Sequence, residues 1–159
     1  MKIRVGFGFD VHQLKEGLDF WLGGIMVPHT KGGLGHSDAD VLIHSICDAL
    51  LGAANLGDIG KHFPDTDLKY KAIDSKILLS SVMKLIREEG FELGNIDSTI
   101  CLQTPKIAKY IPKMQKVLAS CMGVEEDLVS IKATTTEGLS FVGREEGVSA
   151  YATVLITKA

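Results

Sequence analysis

Ile3-Arg4-Val5-Gly6-Phe7-Gly8-Phe9-Asp10-Val11-His12 reads as a β-strand. β-forming side chains run through it, and Gly6 and Gly8 interrupt them where another backbone can come close. Downstream, Phe20-Trp21-Leu22 and Ile25-Met26-Val27 flank Gly23-Gly24, the pattern of a hairpin. Ser37 with Asp40 resembles a capping box, and Val41 to Asn55 follows as a helix with Val41, Leu42, Cys47, Leu50 and Leu51 as apolar positions. Asp58 to Lys71 is a polar loop. Asp74 or Ser75 caps a second helix, which carries Ile77, Leu78, Val82, Leu85 and Ile86 at helical spacing and ends at Gly90. Strands are expected at Ile96 to Gln103, Val129 to Thr136 and Val148 to Thr157, and a third helix from Ile107 to Cys121, broken or restarted at Pro112. Long strands and three helices give an α+β fold, a mixed β-sheet covered by helices on one face, as a single domain over 1–159.

Composition narrows the function. Seventeen glycines in 159 residues exceed ordinary usage, while 45% hydrophobic and 23% charged residues are typical of a globular chain. A mean hydropathy of +0.17 is slightly apolar for a small domain and points to self-association. The net charge of −3, with no Lys/Arg-rich run, argues against nucleic acid, so a phosphate-handling protein of this composition needs metal ions or single lysines. Cys47, Cys101 and Cys121 are scattered without a CxxC pair, as free thiols in a reducing compartment would be. No signal peptide or membrane-length apolar run is visible, and a cytoplasmic location is the expectation.

Four constellations can carry chemistry. Asp10 and His12 share a strand face, and His44 on the helix can complete the two-histidine, one-carboxylate set of a catalytic zinc, leaving a fourth position open. Asp40 lies four residues before His44, where it could orient the imidazole, although helix capping accounts for Ser37 and Asp40 equally well. The run from Asp58 to Asp67 has the residues of a turn, but Asp58 and Asp65 could accept substrate hydroxyls. Thr134-Thr135-Thr136-Glu137-Gly138 ends a strand with hydroxyls and a carboxylate able to hold a phosphate and its Mg²⁺. GxxxxGK[ST] is absent and Gly6-x-Gly8 lacks its third glycine, which removes the P-loop and Rossmann readings.

Together these motifs resemble one family over essentially the whole chain. Gly8-Phe9-Asp10-Val11-His12, Gly35-His36-Ser37-Asp38-Ala39-Asp40 with His44, Gly57 to Asp67, Gln103-Thr104-Pro105-Lys106 and Lys132 to Glu137 are similar to the 2-C-methyl-D-erythritol 2,4-cyclodiphosphate synthases of the non-mevalonate isoprenoid pathway. The resemblance implies a homotrimer with active sites at subunit interfaces. The reaction it implies is attack of the 2-phosphate of 4-diphosphocytidyl-2-C-methyl-D-erythritol 2-phosphate on the β-phosphate, with release of CMP.

By motif match, Asp10, His12 and His44 hold Zn²⁺, while Mg²⁺ or Mn²⁺ bridges the phosphates and meets Glu137. His36 and Thr135 match the positions assigned to transition-state stabilisation. Asp58, Gly60, Phe63 and Asp65 are expected to face the methylerythritol part, with Ser37, Ile59, Pro64, Thr66 and Asp67 as further substrate-binding residues. The cytidine pocket is expected from Leu102, Gln103, Thr104, Pro105, Lys106, Ile107, Ala108, Thr134 and Thr135, with Lys106 near the phosphates and Thr136 a further substrate-binding residue. Phe9, Phe141 and Arg144 are expected to line a central cavity that in some members holds an isoprenoid diphosphate. Ile107-Ala108 replaces the larger residues of many relatives, which should adjust the nucleotide fit rather than the reaction. A zinc hydrolase and a non-catalytic trimeric sensor of a nucleotide or isoprenoid phosphate remain the competing readings of the same residues.

Overall fold

In the computed structural model, which describes residues 1–159, strand β1 (Lys2–Glu16) sorts its side chains between two faces with period two. Gly6, Gly8, Asp10, His12 and Leu14 turn inward, and Ile3, Val5, Phe7, Phe9 and Val11 turn outward, where they stay exposed. The hairpin follows as β2 (Trp21–Leu22) and β3 (Ile25–Met26), with Gly23 and Gly24 both at positive φ as a tight turn demands. Then come β4 (Lys31–Leu34), α1 (Val41–Ala54), α2 (Ile59–His62), α3 (Ser75–Glu88), β5 (Glu92–Cys101), α4 (Ile111–Met122), β6 (Val129–Thr134), α5 (Ser140–Gly143) and β7 (Gly147–Lys158). Three 3-10 turns, Leu68–Tyr70, Ala108–Tyr110 and Glu126–Leu128, complete the connections.

The main sheet has the order β4-β1-β7-β5-β6. It is mixed, because β5 and β6 run parallel while every other pairing is antiparallel. Helices α1 and α4 cover one face of the sheet, and α3 packs against both of them. One continuous core includes residues from the sheet and from α1, α3 and α4, so the chain is a single α+β domain.

The glycines of β1 decide how close α1 can lie. A Cβ at Gly6 would fall 1.9 Å from the Ala49 carbonyl oxygen, and one at Gly8 would fall 1.9 Å from that of Ser45. The helix backbone therefore rests directly on the strand, which brings His44 over Asp10 and His12. Gly8→Ala should displace α1 and cost about 3 kcal/mol, since overpacking against rigid backbone cannot be relieved by a rotamer change. Urea unfolding of the variant tests this: an unchanged midpoint would contradict the close packing.

Several boundaries differ from the sequence reading. β1 runs four residues past His12 because its end finds a partner in β4, which the glycine-rich Lys31-Gly32-Gly33-Leu34 gave no propensity to expect. Asp40 rather than Ser37 is the N-cap of α1, accepting from the Ile43 N–H at 3.1 Å. Pro112 opens α4 in its first turn instead of breaking a longer helix, since a proline there has no N–H to leave unpaired. The loops after Asp58 and Glu137 contain the short helices α2 and α5.

Candidate metal and substrate site

Asp10 and His12 project from β1 toward α1, and His44 descends from the first turns of that helix. Asp10 Oδ2 lies 2.9 Å from His12 Nε2 and 3.0 Å from His44 Nδ1, and the two nitrogens are 3.1 Å apart. The edge of a zinc tetrahedron with bonds near 2.0–2.1 Å is about 3.3 Å, so three donor atoms at this spacing fit three corners around one cation. The fourth corner faces away from the three side chains. No other trio of His, Cys, Asp or Glu side chains converges in this way.

The nitrogens turned away from this point are also engaged. His12 Nδ1 lies 3.2 Å from the Leu34 carbonyl oxygen, which can only accept, so Nδ1 carries the proton and Nε2 is left as a lone pair. His44 Nε2 is 2.9 Å from Ser75 Oγ and 3.2 Å from Ser37 Oγ. The electrostatics favour positive charge at the centre. Burial pushes the Asp10 carboxyl upward, but the His12 and His44 rings, which donate to it whenever their facing nitrogens carry a proton in place of a cation, outweigh it and bring the value to about 2. Burial likewise pushes His44 down, yet Asp10, Asp40 and Asp38 together raise it.

Asp40 does not orient His44. Its carboxylate is fully buried beneath the hairpin and accepts from the N–H groups of Gly23 at 3.0 Å, Gly24 at 2.7 Å and Ile43 at 3.1 Å. An N-cap side chain folds back over its own first turn, so the four-residue spacing to His44 brings no contact between the side chains.

Beside the centre lies a cavity of about 110 Å³ lined by His36, Ser37, His44, Ile59, Phe63, Asp65, Tyr70, Ile73 and Leu78. Phe63 and Tyr70 meet edge to face, with ring centroids 5.5 Å apart, and make one wall apolar. Tyr70, Ile73 and Leu78, the last read only as an apolar helix position, have no site role in the sequence reading, because ordinary apolar residues around a polar loop carry no chemical signature. Asp58 and Asp67 cap their own turns, accepting from the N–H groups of Lys61 and Lys69, and Gly60 belongs to α2. Pro64 is half-buried, whereas Thr66 is exposed.

A second pocket of about 240 Å³ is lined by Leu102, Gln103, Pro105, Lys106, Ile107, Ala108, Ala133, Thr134 and Thr135. Thr104 precedes a cis peptide bond to Pro105. Gln103 Oε1 accepts from the Gly138 N–H at 3.3 Å, joining this pocket to the loop that carries Glu137. Thr136 Oγ1 donates to the Leu139 carbonyl at 2.6 Å, closing the same loop. The sheet register separates the two pockets: Asp10 faces Ala150, Ala150 faces Ile100 and Ile100 faces Ala133. Three strand spacings, about 14 Å, lie between the cation centre and the second pocket of one chain.

The model of the YgbB family matches residues 3–157. A Bacteroides fragilis protein named 2-C-methyl-D-erythritol 2,4-cyclodiphosphate synthase is 66% identical over 158 residues, covering 99% of each chain. The chain belongs to the 2-C-methyl-D-erythritol 2,4-cyclodiphosphate synthase family. Two solved structures agree in fold. The bifunctional IspDF of Campylobacter jejuni superposes with a TM-score of 0.95 at 44% identity, covering 99% of this chain and 43% of that one. The Plasmodium falciparum IspF in complex with CDP gives 0.86 at 31%, covering 98% and 96%.

For a member of this synthase family, the distribution of the motif residues within one chain is informative. Asp10, His12, His36, Ser37 and His44 gather at one place with Ile59, Phe63 and Asp65. Lys106, Thr134 and Thr135 gather at another, and Glu137 stands with them rather than with the cation centre. Phe9 stacks on Tyr151 with centroids 5.0 Å apart on the outer sheet face, Phe141 packs beside Gly147, and Arg144 pairs with Glu146 at 2.9 Å. No helix is long and apolar enough to cross a membrane.

Proposed function

We propose that the chain converts 4-diphosphocytidyl-2-C-methyl-D-erythritol 2-phosphate to 2-C-methyl-D-erythritol 2,4-cyclodiphosphate and CMP, as a cytoplasmic phosphorus–oxygen lyase of isoprenoid precursor synthesis. The observation that carries this reading is the convergence of Asp10, His12 and His44 beside the cavity walled by His36, Ser37, Phe63 and Asp65. Asp10, His12 and His44 would hold Zn²⁺, and Glu137 a Mg²⁺ or Mn²⁺, which when bound would supply the positive charge that a net-acidic chain lacks and polarise the attacked phosphorus. His36 and Thr135 donate toward the charge that develops on the phosphoryl oxygens, and Lys106 adds the cation beside the nucleotide diphosphate. Asp65 and Asp58 accept the hydroxyls of the sugar. The apolar wall of Ile59, Phe63 and Tyr70 holds the methyl-bearing carbon chain in the bent conformation that cyclisation needs. Attack is intramolecular, so positioning provides much of the rate and no protein nucleophile is required.

The active form in this proposal is a homotrimer whose sites lie between subunits. Two features support it. The cation centre and the nucleotide-type pocket of one chain stand three strands apart, too far for one phosphate-to-phosphate step, and the outer face of β1 exposes Ile3, Val5, Phe7, Phe9 and Val11 as one apolar stripe beside Tyr151. Packing three such stripes about an axis buries them, brings the pockets of neighbours together and encloses a cavity with Phe9, Phe141 and Arg144 at hand for an isoprenoid diphosphate.

Incubating the purified, metal-replete protein with substrate and Mg²⁺ and following ³¹P NMR tests the reaction. The expected result is one CMP per cyclic diphosphate formed. Open-chain phosphate products would instead favour the zinc hydrolase, and absence of turnover would favour the sensor.

A further inference from the structure

Ser75 is the first residue of α3 and is fully buried, and its backbone and side chain make different contacts. Its Oγ lies 2.9 Å from His44 Nε2 and makes a short hydrogen bond to Asp38 Oδ1. The Asp38 carboxylate is fixed by further donors, the Ser75 N–H at 2.8 Å and the Asp40 N–H at 3.1 Å. A carboxylate only accepts, so the Ser75 hydroxyl proton points to Asp38 and its oxygen offers lone pairs to His44. Nε2 is therefore a protonated nitrogen, and in the neutral ring that a cation requires, Nδ1 is left as a lone pair facing Asp10 Oδ2 and His12 Nε2. We propose that Asp38 and Ser75 act as a positioning pair that holds His44 by its Nε2–H, so that cation affinity at the centre depends on how α3 seats on the loop of residues 36–40.

The proposal rests on reading Asp10, His12 and His44 as a metal centre. It reaches beyond that reading because Ser75 lies 31 residues from His44 in sequence and contacts neither Asp10 nor His12. The pair also frees Ser37. With Nε2–H committed to Ser75, the Ser37 hydroxyl, which accepts from the Ala39 N–H at 3.3 Å, keeps its own proton for the cavity it lines. Loss of the Ser75 oxygen leaves a buried N–H with only the longer Ser37 contact, the kind of support whose removal weakens metal binding about 10- to 100-fold.

Ser75→Ala is the first variant, because the Ser75 N–H to Asp38 contact that seats α3 is made by the backbone and survives the change. Zinc affinity is measured by chelator competition on wild type, Ser75→Ala, Asp38→Ala and the double variant. In parallel, ¹H–¹⁵N NMR of the zinc-loaded proteins follows the His44 Nε2–H signal. The expected result is a loss of about 10- to 100-fold for Ser75→Ala, an Nε2–H that exchanges with solvent much faster than in wild type, and a double variant no more than about threefold weaker than Ser75→Ala. Equal zinc affinity and an equally protected Nε2–H in Ser75→Ala would overturn the pair alone. A wild-type protein that binds no zinc would overturn the metal reading and the pair with it.

Discussion

His44→Ala is expected to lose zinc and at least about a thousandfold in turnover while the assembled protein stays folded. The thousandfold figure follows from removing a Lewis acid worth several kcal/mol to a reaction that gathers phosphates. His44 is the only one of the three candidate ligands that the helix contributes, so its loss would leave Asp10 and His12 as two donors on one strand, with half a tetrahedron open. Folding survives because α1 is fixed by its contact with Gly6 and Gly8 and by the Asp40 cap, neither of which uses the imidazole. The buried Ser75 hydroxyl keeps its Asp38 acceptor. Bound zinc by elemental analysis, thermal unfolding and CMP release measure the three parts. Full turnover in a zinc-free His44→Ala sample would remove the metal from the mechanism.

Sequence patterns revealed the parts of this arrangement that depend on local chemistry. The strand holding Asp10 and His12, the Gly23-Gly24 turn and the span of α1 follow from alternation, turn glycines and helical spacing, and the structure has all three. The convergence of Asp10, His12 and His44 was also legible, because two short motifs supply all three donors and Gly6 and Gly8, just ahead of the first, invite close packing. Contacts made only by tertiary packing stayed hidden. Ser75 reads as a helix-start residue until α3 is laid against α1, and Asp38, one of two aspartates ahead of α1, reads as an acidic residue favouring a helix N-terminus. β4 was missed for the same reason: Gly32 and Gly33 have poor strand propensity, and only the overhang of β1 pairs them. Asp40 decides between two readings of its position: the helix cap holds, and the geometry of an N-cap denies it the contact with His44 that its spacing also allowed.

In the proposed trimer, a complete site needs the cation centre of one subunit and the second pocket of its neighbour. Within a chain the register keeps Asp10 and Ala133 three strands apart, so neither half can be completed by a shift of side chains. Two inactive variants make the test. His12→Ala removes the cation centre and leaves the second pocket, while a chain with Lys106→Ala and Glu137→Ala does the opposite. In a heterologous ring each site draws its two halves from adjacent subunits, so random mixing at equal amounts leaves about one site in four with both halves intact. Unfolding the two variants together, refolding them and measuring CMP release should recover about a quarter of wild-type activity, against nearly none for either variant refolded alone. Activity of the mixture no greater than the sum of the two variants would contradict the claim and confine each site to a single chain.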